Sequence, residues 1–192
     1  MKKRIAIITA LLSLMPMGKT VLIGTGAVIS SAGFMLAASE KAYAENAEFY
    51  YKRGINKAEE GDFYGAIADY SKAIEINPRY SKAYNNRGNA KRALKDNDGA
   101  IADYSKAIEI NSNSELAYFN RGNTKGSLKD YDGAIADYSK TIEINPNNGS
   151  AYKNRGIAKE LIGDLKGACA DWRRASAMGL KKTDLWILTQ CY

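Results

Sequence analysis

The chain has 192 residues, of which 45% are hydrophobic and 26% charged, a composition typical of one globular domain or a small pair of domains. Its formal charge is +7, but five of the 28 basic and one of the 21 acidic residues lie before residue 45, so the rest carries only +3, which argues against nucleic-acid binding. Histidine is absent from the sequence, which removes the commonest general base and the commonest transition-metal ligand.

The first 44 residues have the pattern of an export signal. A basic start, Met1–Arg4, precedes two apolar runs, Ile5–Met15 and Val21–Ala38, and Ala42-Tyr43-Ala44 then supplies an A-x-A cleavage site. Because glycine, serine and threonine make the second run only weakly hydrophobic, we expect cleavage after Ala44. The alternative is an uncleaved anchor, since the 18 uncharged residues of Val21–Ala38 could just cross a hydrocarbon core about 30 Å thick. In both cases the rest of the chain is expected outside the cytoplasm: in a periplasm or thylakoid lumen, secreted, or at the outer side of a membrane.

The remaining chain consists of four copies of one unit. Five kinds of residue recur every 34 positions, and five aligned series with one period indicate stacked structural repeats. The series are Tyr50, Tyr84, Tyr118 and Tyr152; Arg53, Arg87, Arg121 and Arg155; Gly54, Gly88, Gly122 and Gly156; Ala66, Ala100, Ala134 and Ala168; and Tyr70, Tyr104, Tyr138 and Trp172.

Each unit has the pattern of two helices joined by a turn. In the second copy, the residues that mark one face between Ala83 and Leu94 recur at three- and four-residue steps, and Ala100 to Ile110 repeats that spacing. Between them, Asp96-Asn97-Asp98-Gly99 predicts a turn and a helix N-cap. Asn77-Pro78 and Asn145-Pro146 end the second helix of their units, because proline disfavours helix in the residue before it. Each unit is therefore predicted to be a helical hairpin that buries its apolar face against its neighbours.

A 34-residue hairpin with aromatic, Gly, Ala, aromatic, Ala and Pro at these offsets resembles the tetratricopeptide repeat (TPR) family. The sequence NRG…AIADYSKAIEINP is similar to that of TPR proteins that are abundant in bacteria, cyanobacteria among them. The resemblance implies an all-α fold, a right-handed superhelix of four hairpins (47–80, 81–114, 115–148 and 149–182) with a capping helix at 183–192. Two departures are Ser112, in the place of the helix-ending proline, and Thr141, in the place of a small alanine.

The end of the fourth unit departs further from the repeat. Gly179 is expected to end its second helix in a left-handed conformation, and Thr183 to begin one more amphipathic helix. Leu185, Leu188 and Cys191 share a face of that helix, which we interpret as a cap over the open end of the stack. A capped end argues against a self-assembling array, since open ends are what polymerise.

An aspartate follows each repeated arginine by 16 residues, on the second helix of the same unit. The pairs are Arg53–Asp69, Arg87–Asp103, Arg121–Asp137 and Arg155–Asp171. One interpretation is a row of anion-binding arginines. Strict repetition, the last unit included, favours ion pairs that tie the two helices of each hairpin together, because packing repeats whereas binding sites usually break symmetry.

Asparagines mark the first helices of the units. They are Asn86, Asn120 and Asn154, each one residue before the arginine, and Asn89 and Asn123 in the same helices. In TPR superhelices that bind extended peptides, first helices line the concave groove and asparagines at this position contact the ligand backbone. The resemblance therefore implies the same role here, since an amide can donate to a peptide C=O and accept from its N–H. The alternative is that these asparagines are merely polar and exposed, or cap a neighbouring turn.

Four further side chains would add charge and one apolar anchor to such a groove: Lys82, Arg92, Phe119 and Lys153. TPRs that bind chaperone tails use a lysine–asparagine carboxylate clamp, but Asn85 stands where that clamp needs lysine, so chaperone-tail binding is not predicted. The implied partner is a protein or an extended peptide, and the implied function is assembly or scaffolding. A basic nucleic-acid-binding module and a self-assembling array are the alternatives.

No catalytic, cofactor or metal site is predicted. Serine has no histidine to serve as its base. The acid pairs Asp96/Asp98 and Asp130/Asp132 recur in turns, where they begin helices. Two distant cysteines do not make a metal site. The chain is therefore not expected to be an enzyme.

The only two cysteines are Cys169 and Cys191. Cys169 takes the position of Ile67, Ile101 and Ile135 in the earlier copies, on the packed side of the second helix, and Cys191 lies at the end of the predicted cap. Because these helices are expected to touch in an exported chain, we predict a disulfide. The alternative is two buried free thiols.

Overall fold

The computed structural model describes residues 21–23, 27–29 and 46–191, and its chain divides into two compact units, Met1–Glu45 and Asn46–Tyr192. In the first unit, strand β1 (Val21–Ile23) pairs antiparallel with strand β2 (Ala27–Ile29). These strands are the described part of the second apolar run. None of the helices that the structure describes combines the length and the apolar character of a membrane-crossing segment. The basic start, the first apolar run and the cleavage site after Ala44 lie outside the described residues.

The second unit is all-α over its described residues. Between residues 46 and 191 the chain forms nine helices that pack consecutively. They are α1 (46–59), α2 (Phe63–Ile76), α3 (Ser81–Ala93), α4 (Asn97–Ile110), α5 (Glu115–Ser127), α6 (Tyr131–Ile144), α7 (Gly149–Leu161), α8 (Leu165–Ala177) and α9 (Lys182–Gln190). Helices α1 to α8 make four hairpins, stacked in chain order, and α9 packs on α8. The predicted all-α architecture of four hairpins and one further helix is confirmed.

The turn inside each hairpin starts the second helix in the same way. In each turn an aspartate side chain accepts a hydrogen bond from a glycine N–H three residues later, as predicted for Asp96, and so caps the helix. The residue before that aspartate is left-handed, with φ of 67° at Lys95 and 83° at Gly61. Gly179 has φ of 87°, which confirms the left-handed end predicted for α8.

Close approach of the two helices in each hairpin explains the glycine series. A Cβ added at Gly88 would lie 2.7 Å from Cε1 of Tyr104, and a Cβ at Gly54 would lie 2.7 Å from Cε1 of Tyr70. Neither ring has room to move, because both tyrosines are at most 2% exposed. The core of each hairpin is thus an aromatic ring laid directly on glycine backbone.

The last helix, α9, packs on α8 through a different face from the predicted one. Thr183 is fully buried, and the ring of Trp186 lies 5.4 Å from the ring of Trp172. Leu185 and Leu188 instead point outward, 64% and 67% exposed, so the prediction that they cover α8 is wrong. An indole buries more apolar area than a leucine side chain, and its contact with a second indole decides the face of this short helix.

Candidate functional site

Each hairpin contains the predicted ion pair between its two helices. Nε and Nη2 of Arg87 donate to the two carboxylate oxygens of Asp103 at 2.8 and 2.7 Å, and the Asp103 residue is 4% exposed. Arg–carboxylate forks of this kind combine strength with fixed geometry. The same fork recurs in Arg53–Asp69, Arg121–Asp137 and Arg155–Asp171. These arginines are therefore part of the packing, as interpreted from the sequence, and are not a row of free anion sites.

Two further residues join each pair. Lys91, one turn after Arg87, places Nζ 2.8 Å from the same Asp103 carboxylate. Nη1 of Arg87 donates to Ser71 Oγ at 3.0 Å, on the second helix of the preceding hairpin. The third and fourth hairpins repeat both the lysine contact and the arginine–serine contact. These partners were not predicted from the sequence, although both lysine and serine recur with the 34-residue period and could have been found by it.

In the first hairpin, the charges of this network hold the carboxylate of Asp69 ionised. Hydrogen bonding from Arg53 lowers the pKa of Asp69 below its ordinary value of 3.8, against the opposing effect of burial, and Lys57 adds to the lowering. A carboxylate held between two cations stays deprotonated at neutral pH and serves as an acceptor. This carboxylate therefore has a structural role.

The first helices of the first three hairpins line a groove with two adjoining cavities. The larger has a volume of about 600 Å³ and lies between α1, α3 and α5; its lining includes Tyr51, Tyr80, Lys82, Asn85, Asn86, Glu115 and Leu116. The smaller, of about 280 Å³, lies between the first two hairpins and shares Asn86 with the larger; its lining includes Ile55, Phe63, Tyr70 and Asn89. The larger volume falls in the range of ligand pockets, and the mixed lining of rings, amides and hydroxyls suits a peptide.

Three predicted residues, Lys82, Asn86 and Asn89, line these cavities. Tyr51, Tyr80 and Leu116 also line the larger cavity but were not predicted from the sequence. Leu116 is 64% exposed and lies 34 positions after Lys82, so the repeat period itself marks it as the same place on the next first helix.

The asparagines around the larger cavity are hydrogen-bonded to one another. Nδ2 of Asn86 donates to the Tyr51 hydroxyl, Nδ2 of Asn85 donates to Oδ1 of Asn86, and Nδ2 of Asn120 donates to Oδ1 of Asn85, each at 3.1 Å. This chain of bonds crosses α1, α3 and α5. The amides therefore brace neighbouring first helices, a role that the sequence analysis did not consider.

A second set of hydrogen bonds involves asparagine side chains of the later first helices. Oδ1 of Asn123 accepts from the Tyr138 hydroxyl and from Nδ2 of Asn154, both at 2.9 Å. The Tyr104 hydroxyl donates to Oδ1 of Asn89 at 2.8 Å. Burial raises the pKa of Tyr138 to about 12, so that its hydroxyl keeps its proton and remains a donor throughout the physiological range.

The other six predicted residues line neither cavity. The ring of Phe119 lies 5.9 Å from the ring of Tyr138, so it packs partly on the core. Arg92 is exposed on α3, and Lys153 is half-buried on α7. Asn120 on α5 donates to Asn85, which lines the larger cavity, whereas Asn154 on α7 donates to Asn123 on α5. A role for these three asparagines in binding stays a prediction.

At the C-terminal end, Cys169 and Cys191 form a disulfide, with Cα atoms 5.7 Å apart. Cys169 is buried on α8, and Cys191 follows the last residue of α9, so the bond fixes the end of α9 against α8. Among the described residues, no group of three or more histidine, cysteine or acidic side chains is placed to hold a metal ion.

Comparison with known proteins points to one family. A tetratricopeptide repeat model matches residues 116–148, and a TPR repeat model matches residues 57–91 and 88–128. Among curated proteins, an uncharacterised protein of Methanocaldococcus jannaschii is 43% identical over 42 residues, which are 22% of this chain and 49% of that protein. The chain thus matches about half the length of this relative.

Solved structures share the fold of the hairpin stack. A crystal structure of MamA matches with a TM-score of 0.68 and 25% identity, over 81% of this chain and 98% of that chain. The Arabidopsis OM64 TPR domain matches with a TM-score of 0.60 and 26% identity, over 62% of this chain and 98% of that chain. The first TPR of Spaghetti (RPAP3), bound to the HSP90 peptide SRMEEVD, matches with a TM-score of 0.61 and 25% identity, over 62% of this chain and 94% of that chain. These matches confirm the predicted superhelical all-α fold.

Proposed function

We propose that this chain, in which tetratricopeptide repeat models match residues 57–148, is a scaffold or assembly factor that holds an extended peptide or protein segment along its first helices. TPR repeats are generally non-catalytic interaction modules, and one structural neighbour is bound to an HSP90 peptide. The observation that carries the proposal is the cavity of about 600 Å³ between α1, α3 and α5, where the exposed Leu116 lies among amides and hydroxyls.

The lining of this cavity offers what an extended peptide needs. Asn86 uses one N–H on Tyr51 and accepts one hydrogen bond from Asn85, which leaves a lone pair of its Oδ1 for a peptide N–H. Leu116 offers an apolar contact to a ligand side chain, and the exposed Lys82 offers a cation to a ligand carbonyl or carboxylate. Backbone-directed bonds with a single apolar contact favour a ligand recognised by shape more than by one fixed sequence.

We further infer that the hairpin stack works outside the cytoplasm, after export directed by residues 1–44. The disulfide supports this setting, because such bonds persist in oxidising compartments and are rare in the cytosol. The net charge of only +3 after residue 44 supports a protein partner over a nucleic acid. N-terminal sequencing of the protein from its own cell would test cleavage after Ala44, and an intact Met1 would contradict it.

The groove is tested by Leu116→Asp. The full-length protein and this variant are used as bait for proteins of the exported fraction, and bound segments are then mapped on arrays of short peptides. A carboxylate at position 116 places an unpaired charge in the apolar contact, so we expect at least a tenfold loss of peptide binding, about 1.4 kcal/mol or more. Unchanged binding would contradict the proposal.

Tyr64→Asp is the matched control. Tyr64 is 77% exposed on α2 and lines neither cavity, so the same new charge there should leave peptide binding intact. Alanine at Asn86, Asn120 and Asn154 is a less specific test. These amides bond to neighbouring helices, so the triple variant is expected to melt early as well as to bind poorly.

A further inference from the structure

The outer face of α1 is a fourth copy of the surface by which each later hairpin packs on the one before it. Ala83, Ala117 and Ala151 occupy the same position in α3, α5 and α7, and all three are 0% exposed. Each of these helices packs on the second helix of the preceding hairpin. The equivalent residue of α1 is Phe49, which is 58% exposed, and no hairpin precedes α1 within residues 46–191. The inter-hairpin surface therefore continues to this end of the stack with an aromatic residue in the place of alanine.

The arginine of the same face repeats the pattern. In the later hairpins Nη1 of the arginine reaches a serine of the preceding hairpin, and the arginine side chains are only 17% to 19% exposed. The side chain of Arg53 is 45% exposed. Its guanidinium carbon lies 5.4 Å from the ring centre of Phe49 and 5.0 Å from that of Tyr50. This face, Phe49 with Tyr50 and Arg53, is called the aromatic end below.

The opposite end of the stack is also apolar. Leu185 and Leu188 lie almost one turn apart on the outer side of α9 and are 64% and 67% exposed. Next to them lies the exposed Asp184, whose Oδ1 accepts a hydrogen bond from Ser176 and whose Oδ2 remains as a further acceptor. A helix that only terminates a repeat stack has a polar outer face, which keeps the end soluble. This surface, Asp184 with Leu185 and Leu188, is called the leucine end.

We propose that the aromatic end of one copy of this protein docks on the leucine end of another. Phe49 is an apolar knob that fits between two leucines almost one helical turn apart, and Arg53 brings a cation to the carboxylate of Asp184. Because the two surfaces differ, the contact is heterologous, and each added copy leaves one free end of either kind. The product is an open chain of copies, an alternative that a polar cap would disfavour but that the apolar outer side of α9 permits. So few side chains make the contact weak, with a Kd on the order of 100 µM.

The test is sedimentation of the full-length protein over a series of concentrations. The average mass should rise with concentration in the wild type. It should stay at the monomer value in Phe49→Ala and in the double variant Leu185→Ser with Leu188→Ser. All of these side chains are exposed, so circular dichroism should show unchanged helix content. Tyr64→Ala, which removes an exposed aromatic side chain elsewhere, should associate like the wild type.

Mixing the two monomeric variants tests whether the aromatic end of one copy binds the leucine end of another. Phe49→Ala keeps an intact leucine end and the double leucine variant keeps an intact aromatic end, so an equal mixture should form dimers and nothing larger. A wild type that remains monomeric would overturn the proposal. So would association of either variant alone, or a mixture that stays monomeric. Failure here leaves the groove untouched, since none of these residues lines its cavities.

Discussion

Neutralising one carboxylate of the repeated ion pairs should lower the free energy of unfolding, by an amount that depends on how deeply its cationic partners are buried. In Asp103→Asn the side chain keeps its shape, but an amide NH2 replaces one of the oxygens that accept from Arg87 and Lys91. Those cations are 18% and 22% exposed, so water cannot replace the lost acceptor fully. Breaking a buried pair from one side typically costs 3–5 kcal/mol, and we expect about 3 kcal/mol here.

The assay is urea unfolding followed by circular dichroism. With a slope of about 2 kcal/mol per molar urea, a loss of about 3 kcal/mol lowers the midpoint by roughly 1.5 M. Asp69→Asn is the matched change in the first hairpin. There the partner Arg53 is 45% exposed and can be rehydrated, so the shift should be clearly smaller.

Asp171→Asn distinguishes the effect of cation burial from the effect of lying in an end repeat of the array. End repeats fray, so a small effect at Asp69 could reflect only its place in the first hairpin. Asp171 lies in the last hairpin, yet its cations Arg155 and Lys159 are only 17% and 20% exposed. The burial argument therefore predicts a loss close to that of Asp103→Asn. Equal losses at all three sites, or an Asp171 effect as small as that at Asp69, would refute it.

Three other outcomes are expected. Cys191→Ser should destabilise the α9 cap by about 3 kcal/mol, because the disulfide closes a separation of 22 residues, and tryptophan fluorescence should report the loosened cap. Gly88→Ala should lower the melting temperature, since its Cβ would lie 2.7 Å from Tyr104, whereas Gly126→Ala, with its nearest atoms at 3.7 Å, should be neutral or stabilising. Hydrogen bonding from Arg53 lowers the pKa of Asp69 below 3.8. This pair therefore stabilises the fold fully above about pH 4, and its contribution is lost as the pH falls through the lowered pKa. In Asp69→Asn, the melting temperature should fall less steeply with decreasing pH on the acid side of the profile.

The hairpins could be predicted from the sequence because one period fixes both partners of each contact. Gly88 and Tyr104, or Arg87 and Asp103, recur together in every unit, and a repeated pair implies a repeated contact. The serine contact of Arg87 also repeats, but it joins two different hairpins. A search confined to pairs within one hairpin could not reach it.

The groove and the cap were harder to predict because there the repetition ends. An asparagine that faces a ligand and an asparagine that bonds to its neighbour across hairpins have the same sequence pattern, and only the distances around Asn85 and Asn86 separate them. In α9, nine residues make two and a half turns, so either the two leucines or Trp186 could have faced α8. The contact between Trp186 and Trp172 decided it, and a contact between side chains of non-equivalent positions has no periodic signal.

Because the arginine contacts are equally spaced, the gene for this protein could lose or gain whole repeats and still encode matching contacts. Arg87 reaches 16 residues back to Ser71 and 16 residues forward to Asp103. Excising residues 88–121 would bring Asp137 to the position that Asp103 holds, and the contact to Ser71 would be untouched. Recombination between copies could therefore lengthen or shorten the stack one hairpin at a time without redesigning any interface. Phe49 and α9 are excluded from such exchange, because each is suited only to its own end of the stack.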